Sequence, residues 1–123
     1  MLVRTVDAAG IDVDDGWSVS AITVGELEAG VLLARDRAVR AARLRRLTAV
    51  LAEAPVLRVD REIAARYGEL RAHSGRSPSN DLWIAATALA HDLMLITGDQ
   101  RQSSLPLVRT RLVAAESSSP PAR

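Results

Sequence analysis

The sequence predicts a single α/β domain built on a parallel sheet, and three observations carry that prediction. Short apolar strands alternate with helices, no hairpin signal joins one strand to the next, and Leu93-Met94-Leu95-Ile96 is a continuous apolar run such as a sheet covered on both faces requires. At 123 residues, 48% hydrophobic and 25% charged, the chain has enough for one ordinary core and too little for two.

Leu2, Val3 and Val6 share a helical spacing that stops at Gly10, so the chain is expected to open on the end of a helix, followed by a turn over Asp12 to Gly16. Trp17 to Ile22 reads as a short strand. Thr23 to Ala34 reads as a helix with Val24, Leu27, Val31 and Leu32 on one face. An Arg-rich helix follows over Ala38 to Ala52, with Val39, Leu44, Leu47 and Leu51 as its buried stripe, and Pro55 ends it. Val56 to Val59 is a second strand, and Asp60 caps a helix carrying Ile63, Ala64, Tyr67 and Leu70. Ser74 to Ser79, rich in Gly, Pro and Ser, is a loop. Asp81 opens a helix over Leu82 to His91, which turns Ile84, Ala85, Ala88 and Leu89 inward and leads into the Leu93–Ile96 strand. Leu107-Val108 and Leu112-Val113 suggest a last edge strand. The domain is expected to span residues 1–114, leaving the Ser- and Pro-rich residues 115–123 as a disordered tail.

Composition excludes several chemistries. The chain has no Cys, hence no disulfide, thiolate nucleophile or Cys-based metal site, in keeping with a reducing cytoplasm. All 16 basic residues are Arg, so no Lys serves a phosphate-binding loop, a Schiff base or a receiver-type phosphorylation site. Trp17, Tyr67 and Trp83 are the only aromatics, too few for a base-stacking platform. No apolar run approaches the ~20 residues of a membrane span, and no export leader is recognisable. The net charge of +1 does not by itself indicate a polyanionic partner.

What remains is carboxylate chemistry. Ligands of a parallel α/β sheet gather beyond the carboxyl ends of its strands. Glu26 lies about one turn into the helix leaving the first strand, Asp81 starts a later helix, and Asp99 follows the strand which that helix feeds. An eleven-residue helix advances about 16 Å and a five-residue strand returns about 16 Å, so Asp81 and Asp99 are expected at the same edge. Carboxylates converging at a few ångströms oppose one another's ionisation. A divalent cation resolves that conflict; magnesium and manganese favour oxygen ligands and act with substrate phosphates, and such a metal activates water for attack on a phosphodiester. Thr97, two residues before Asp99, projects to the same side of the strand. Each acid also has a purely structural use. Thr23-Val24-Gly25-Glu26 is a capping box, Asp81 in a first turn suits the helix dipole with Ser79 or Asn80 as cap, and Gly98-Asp99 is an ordinary turn pair.

Ser20-Ala21-Ile22-Thr23-Val24-Gly25-Glu26-Leu27-Glu28-Ala29-Gly30, and later Asn80 to His91 running into Leu95-Ile96-Thr97-Gly98-Asp99, resemble the VapC-type PIN-domain toxins from about Trp17 to Leu112. The resemblance implies a three-layer α/β/α sandwich and a magnesium- or manganese-dependent endoribonuclease, paired with a VapB-type antitoxin and usually a homodimer. By position, Glu26, Asp81 and Asp99 match the family's second, third and fourth acids, and Thr97 the hydroxyl beside the last. The chain departs from the family at its start, where a central strand ending in an Asp-Thr-Ser-like motif supplies the first acid. Asp7 falls in the expected helix, and Asp12, Asp14 and Asp15 precede the Trp17 strand at its amino end, so none replaces it. The expectation is an N-terminally truncated VapC, from a start codon placed too late or from decay of the gene.

An RNA substrate calls for basic groups near the acids. Arg76, in the loop before Asp81, is the best placed for RNA or antitoxin contact, and Arg37 and Arg40 on the Arg-rich helix are further candidates. Tyr67 and Trp83 suit a core or a dimer interface; His73 and His91 suit helix ends. Two functions follow: a metal-dependent ribonuclease toxin, or a catalytically inactive toxin that still binds its antitoxin or dimerises. A phosphate-receiver domain is disfavoured by the absent Lys.

Overall fold

The computed structural model describes residues 2–3, 16–98 and 100–112. In chain order the elements are β1 (Leu2–Val3), β2 (Val19–Ser20), α1 (Ala21–Leu33), α2 (Arg37–Glu53), β3 (Val56–Leu57), α3 (Arg61–His73), α4 (Ser79–Ala90), β4 (Met94–Thr97), α5 (Gln100–Ser103) and β5 (Thr110–Leu112). β4 is the middle of a three-stranded sheet, parallel to β5 with Leu95 opposite Thr110, and β2 pairs in parallel with β3, Val19 opposite Val56. The helix-rich α/β class with parallel pairing is therefore as expected.

The beginning differs. Leu2–Val3 is a strand, antiparallel to β4 with Leu2 opposite Leu95, where helical spacing predicted a helix. Two apolar residues fit either period, and the open edge of β4 selects the extended form by supplying backbone partners. The remainder of that expected helix, Asp7, the acids at 12–15 and the expected tail lie outside the described residues.

α1 starts two residues earlier than the Thr23 start predicted, because Ser20 is the cap: its buried hydroxyl accepts from the Ile22 N–H at 3.0 Å. Thr23 and Glu26 are thus inside the helix, and the capping-box use of Glu26 is removed. Asp36 caps α2 by accepting from Ala38 N–H at 2.7 Å, and Asp60 caps α3 through Ile63 N–H at 3.1 Å, the latter as predicted. α4 begins at Ser79 behind Pro78 with no side-chain cap, so neither Ser79 nor Asn80 serves as one. The helix α5 had no counterpart in the sequence reading, and the last strand is centred on Thr110–Leu112 rather than starting at Leu107.

The core lies between α3, α4 and β4. Ile63 and Leu70 of α3 meet Leu82, Ala85, Ala86 and Ala88 of α4 and Leu95 of β4. Each fully buried Leu or Ile contributes about 1.5–3 kcal/mol, and the alanine face of α4 lets its neighbours approach closely. Tyr67 and Trp83 stack at 4.0 Å between ring centroids and 16° between planes, sealing the α3–α4 seam. The Arg-rich helix buries less than its periodicity suggests. Leu47 is 4% exposed, but Val39, Leu44 and Leu51 are 39%, 49% and 45% exposed, because α2 packs chiefly on α1 and presents a narrow stripe.

Candidate active site

Residues Ser74 to Pro78 and Asp81 form one wall of a cavity of about 710 Å³, and Gln100, Arg101, Ser104, Leu105 and Pro106 form the other. The α3–α4 loop thus faces the segment that follows β4. This is the edge at which the helix and strand lengths were expected to cancel. Asp81 is half-buried in the first turn of α4, where the unpaired N–H groups favour a negative charge. Thr97, 8% exposed, closes β4. Asp99 lies outside the described residues; Gln100, the next residue of the chain, lines the cavity together with Asp81.

Glu26 is exposed on α1 and does not line the cavity. It joins the site through Asn80, whose side-chain Nδ2 donates to Glu26 Oε2 at 3.2 Å. Arg76 lies in the cavity wall. Arg37 and Arg40 lie elsewhere, lining a hollow at the α1–α2 turn with Ala34, Arg35 and Asp36. Arg40 Nη2 donates to the Leu32 carbonyl at 3.3 Å and Arg43 Nη1 to the Gly30 carbonyl at 2.7 Å, so these side chains satisfy the open end of α1.

The loop wall has an organiser that the sequence reading missed. Arg71 Nη1 donates to the carbonyls of Gly75 at 3.1 Å and Ser77 at 2.9 Å, while Nη2 donates to Tyr67 Oη at 2.9 Å and Ser79 Oγ at 3.1 Å. The Arg71 and Ser79 hydrogen bonds hold the Tyr67 phenol below its ordinary pKa. A Tyr four residues before an Arg, just ahead of a Gly/Pro/Ser loop, was the available signal.

Among the described residues no group of three His, Cys, Asp or Glu is arranged to hold a metal ion. What they offer is two carboxylates, Glu26 and Asp81, on adjoining helices joined by Asn80. An all-oxygen set of few protein ligands fits a hard divalent cation that keeps waters and shares phosphate oxygens. It does not fit a structural zinc site. No helix among the described residues is long and apolar enough to cross a membrane.

The PIN domain family matches residues 3–107 of the chain. In sequence it is similar to Ribonuclease VapC4 of Mycobacterium tuberculosis, 37% identical over 94 residues that cover 73% of this chain and 72% of the relative. It is likewise similar to Ribonuclease VapC5 of the same organism, 40% identical over 106 residues covering 83% and 76%. In structure it resembles the crystal structure of VapBC-5 from M. tuberculosis, a member of the VapBC family of toxin-antitoxin systems. That likeness has a TM-score of 0.67 and 34% identity, and covers 79% of this chain and 80% of the other.

Proposed function

The chain belongs to the PIN-domain family, in its VapC-type branch, and from that premise we propose that it is the endoribonuclease toxin of a toxin-antitoxin pair, acting with magnesium or manganese. Glu26, Asp81 and Asp99 are the acids that would hold the cation, with Thr97 beside the last of them. Bound there, the cation supplies stabilisation of charge on the phosphoryl oxygens and an activated water.

One observation carries the reading: the half-buried Asp81 and the basic Arg76 share a cavity wall, and Glu26 is tethered to the same helical turn through Asn80. The carboxylates suit a cation and Arg76 suits the phosphates on either side of the scissile bond. The relatives' name, ribonuclease, supports RNA as the polymer. Asn80 orients Glu26, and the loop from Ser74 to Pro78 limits how the strand enters.

The partner is a VapB-type antitoxin, supported by the toxin-antitoxin system to which the similar structure belongs. Leu32 and Leu33, 70% and 75% exposed beside Arg37 and Arg40, give the α1–α2 hairpin a mixed apolar and basic surface suited to an acidic amphipathic segment. The toxin works as a homodimer in the cytoplasm. The deciding experiment incubates the purified chain and Asp81→Asn with structured RNA and magnesium or manganese, with a chelator control. Metal-dependent cleavage that Asp81→Asn loses is expected. Equal cleavage by both removes the catalytic assignment of Asp81, and cleavage by neither leaves an inactive toxin that binds its antitoxin.

A further inference from the structure

We propose that Arg71 is the positioning residue of the Asp81 site: one guanidinium hangs the loop from Ser74 to Pro78 on α3 and so fixes both the cavity wall and the start of α4. Its acceptors come from three parts of the chain. Tyr67 lies one turn back on α3, Gly75 and Ser77 offer backbone carbonyls in the loop, and Ser79 is the first residue of α4. The donors suit these acceptors because guanidinium is planar, always charged and presents its N–H groups as a fixed fork. A lysine ammonium is a point charge and cannot reproduce the fork.

The backbone bonds of the loop are local. Ser74 N–H donates to Leu70 and Arg71 carbonyls at 2.8 and 3.3 Å, and Ser77 N–H donates to the Ser74 carbonyl at 3.0 Å, so these close single turns at the end of α3. Arg71 and the Tyr67–Ser79 bond both reach from α3 to the first residue of α4, and of the two Arg71 is the one that also holds the loop carbonyls. The guanidinium also lies over the Tyr67 ring, 5.4 Å from its centroid, and that ring stacks on Trp83, two residues beyond Asp81. Both sides of the Asp81 turn are therefore referenced to Arg71, by a hydrogen bond at Ser79 and, through the Tyr67 ring, by the stack on Trp83. Arg71 does not line the cavity, so it acts through the loop and not on the substrate.

This assignment rests on the proposed metal site for its consequence, while the ordering of the loop is independent of any nuclease activity. Both are measurable on the full chain. Arg76 is followed by Ser77, which makes their bond a tryptic site inside the ordered loop. Arg71→Gln and Arg71→Lys, checked for folding by circular dichroism melts, are compared with the parent for the rate of tryptic cutting after Arg76 and for Mn²⁺ affinity by calorimetry. In both variants the cut is expected to accelerate about tenfold, as a locally opened segment does. Mn²⁺ binding is expected to weaken about tenfold, as when a ligand's supporting contacts are lost. Wild-type loop protection in folded Arg71→Gln, full rescue of both readouts by Arg71→Lys, or Mn²⁺ binding that is absent from the parent or unchanged by a loosened loop would each overturn the proposal. Should Arg71→Gln fail to fold, Tyr67→Phe removes one Arg71 acceptor together with the Ser79 contact and keeps the stack; about threefold faster cutting is then expected, and an unchanged rate overturns it. A parent chain that binds Mn²⁺ but leaves RNA intact refutes the nuclease reading and leaves the Arg71 assignment standing.

Discussion

Asn80 in the first turn of α4 donates to the carboxylate of Glu26 on α1 at 3.2 Å, joining residues 54 positions apart. The bond is exposed, so its value for stability is small, but it ties Glu26 to the residue that precedes Asp81 in the chain. Asn80→Ala is expected to lower stability by no more than about 1 kcal/mol in urea titrations. The same change should slow RNA cleavage about tenfold, as loss of an orienting contact does. Unchanged cleavage by a folded Asn80→Ala would show that Glu26 needs no such tether.

Arg76 belongs to the cavity wall, whereas Arg37 belongs to the α1–α2 turn. A phosphate contact strengthens binding of ground and transition states alike and weakens with salt. Arg76→Ala is accordingly expected to raise KM several-fold with kcat nearly unchanged, and to flatten the salt dependence of kcat/KM. Arg37→Ala should leave both parameters at the parent's values. Steady-state cleavage at several salt concentrations checks the pair, and the reverse ranking would move the RNA path to the hairpin.

Tyr67 is the only tyrosine, so ultraviolet titration of phenolate reports it alone. Hydrogen bonds from Arg71 and then from Ser79 lower its pKa from the ordinary 10.0. A depressed folded-state value means that the unfolded chain holds the proton to higher pH, so this group adds stability as pH rises through the window between the depressed value and 10.0. Below that window both states are protonated and the contribution vanishes. Arg71→Gln should return the titration toward 10.0. A midpoint at or above the ordinary value in the parent would contradict the contact.

The sequence disclosed what depends on local chemistry. Asp60 as a cap and the apolar β4 run follow from residue type; Asp81 shares a cavity with Gln100 of the segment after β4, while Asp99, expected to meet it, lies outside the described residues. What escaped depends on tertiary competition. Ser20 displaced Thr23 as the start of α1 because a buried hydroxyl satisfies the earlier N–H. Leu2 and Val3 are extended because β4 offers an edge, and two residues carry too little periodicity to say so. Arg71 was hidden for a different reason: four of its acceptors lie within eight residues, but only the folded loop turns them toward one guanidinium.

The contrast inside α2 gives a last test. Leu44 and Leu47 are three residues apart and periodicity treats them alike, yet Leu47 is 4% exposed and Leu44 is 49% exposed. Truncating a buried leucine loses transfer free energy and leaves a cavity, so Leu47→Ala is expected to cost about 2–4 kcal/mol. Leu44 keeps much of its surface in water, so Leu44→Ala should cost less than about 1 kcal/mol. Paired chemical denaturation curves decide it. Equal losses at both positions would mean that a second surface covers α2 in solution, and the concentration dependence of the Leu44→Ala transition would then identify that surface as another copy of the chain.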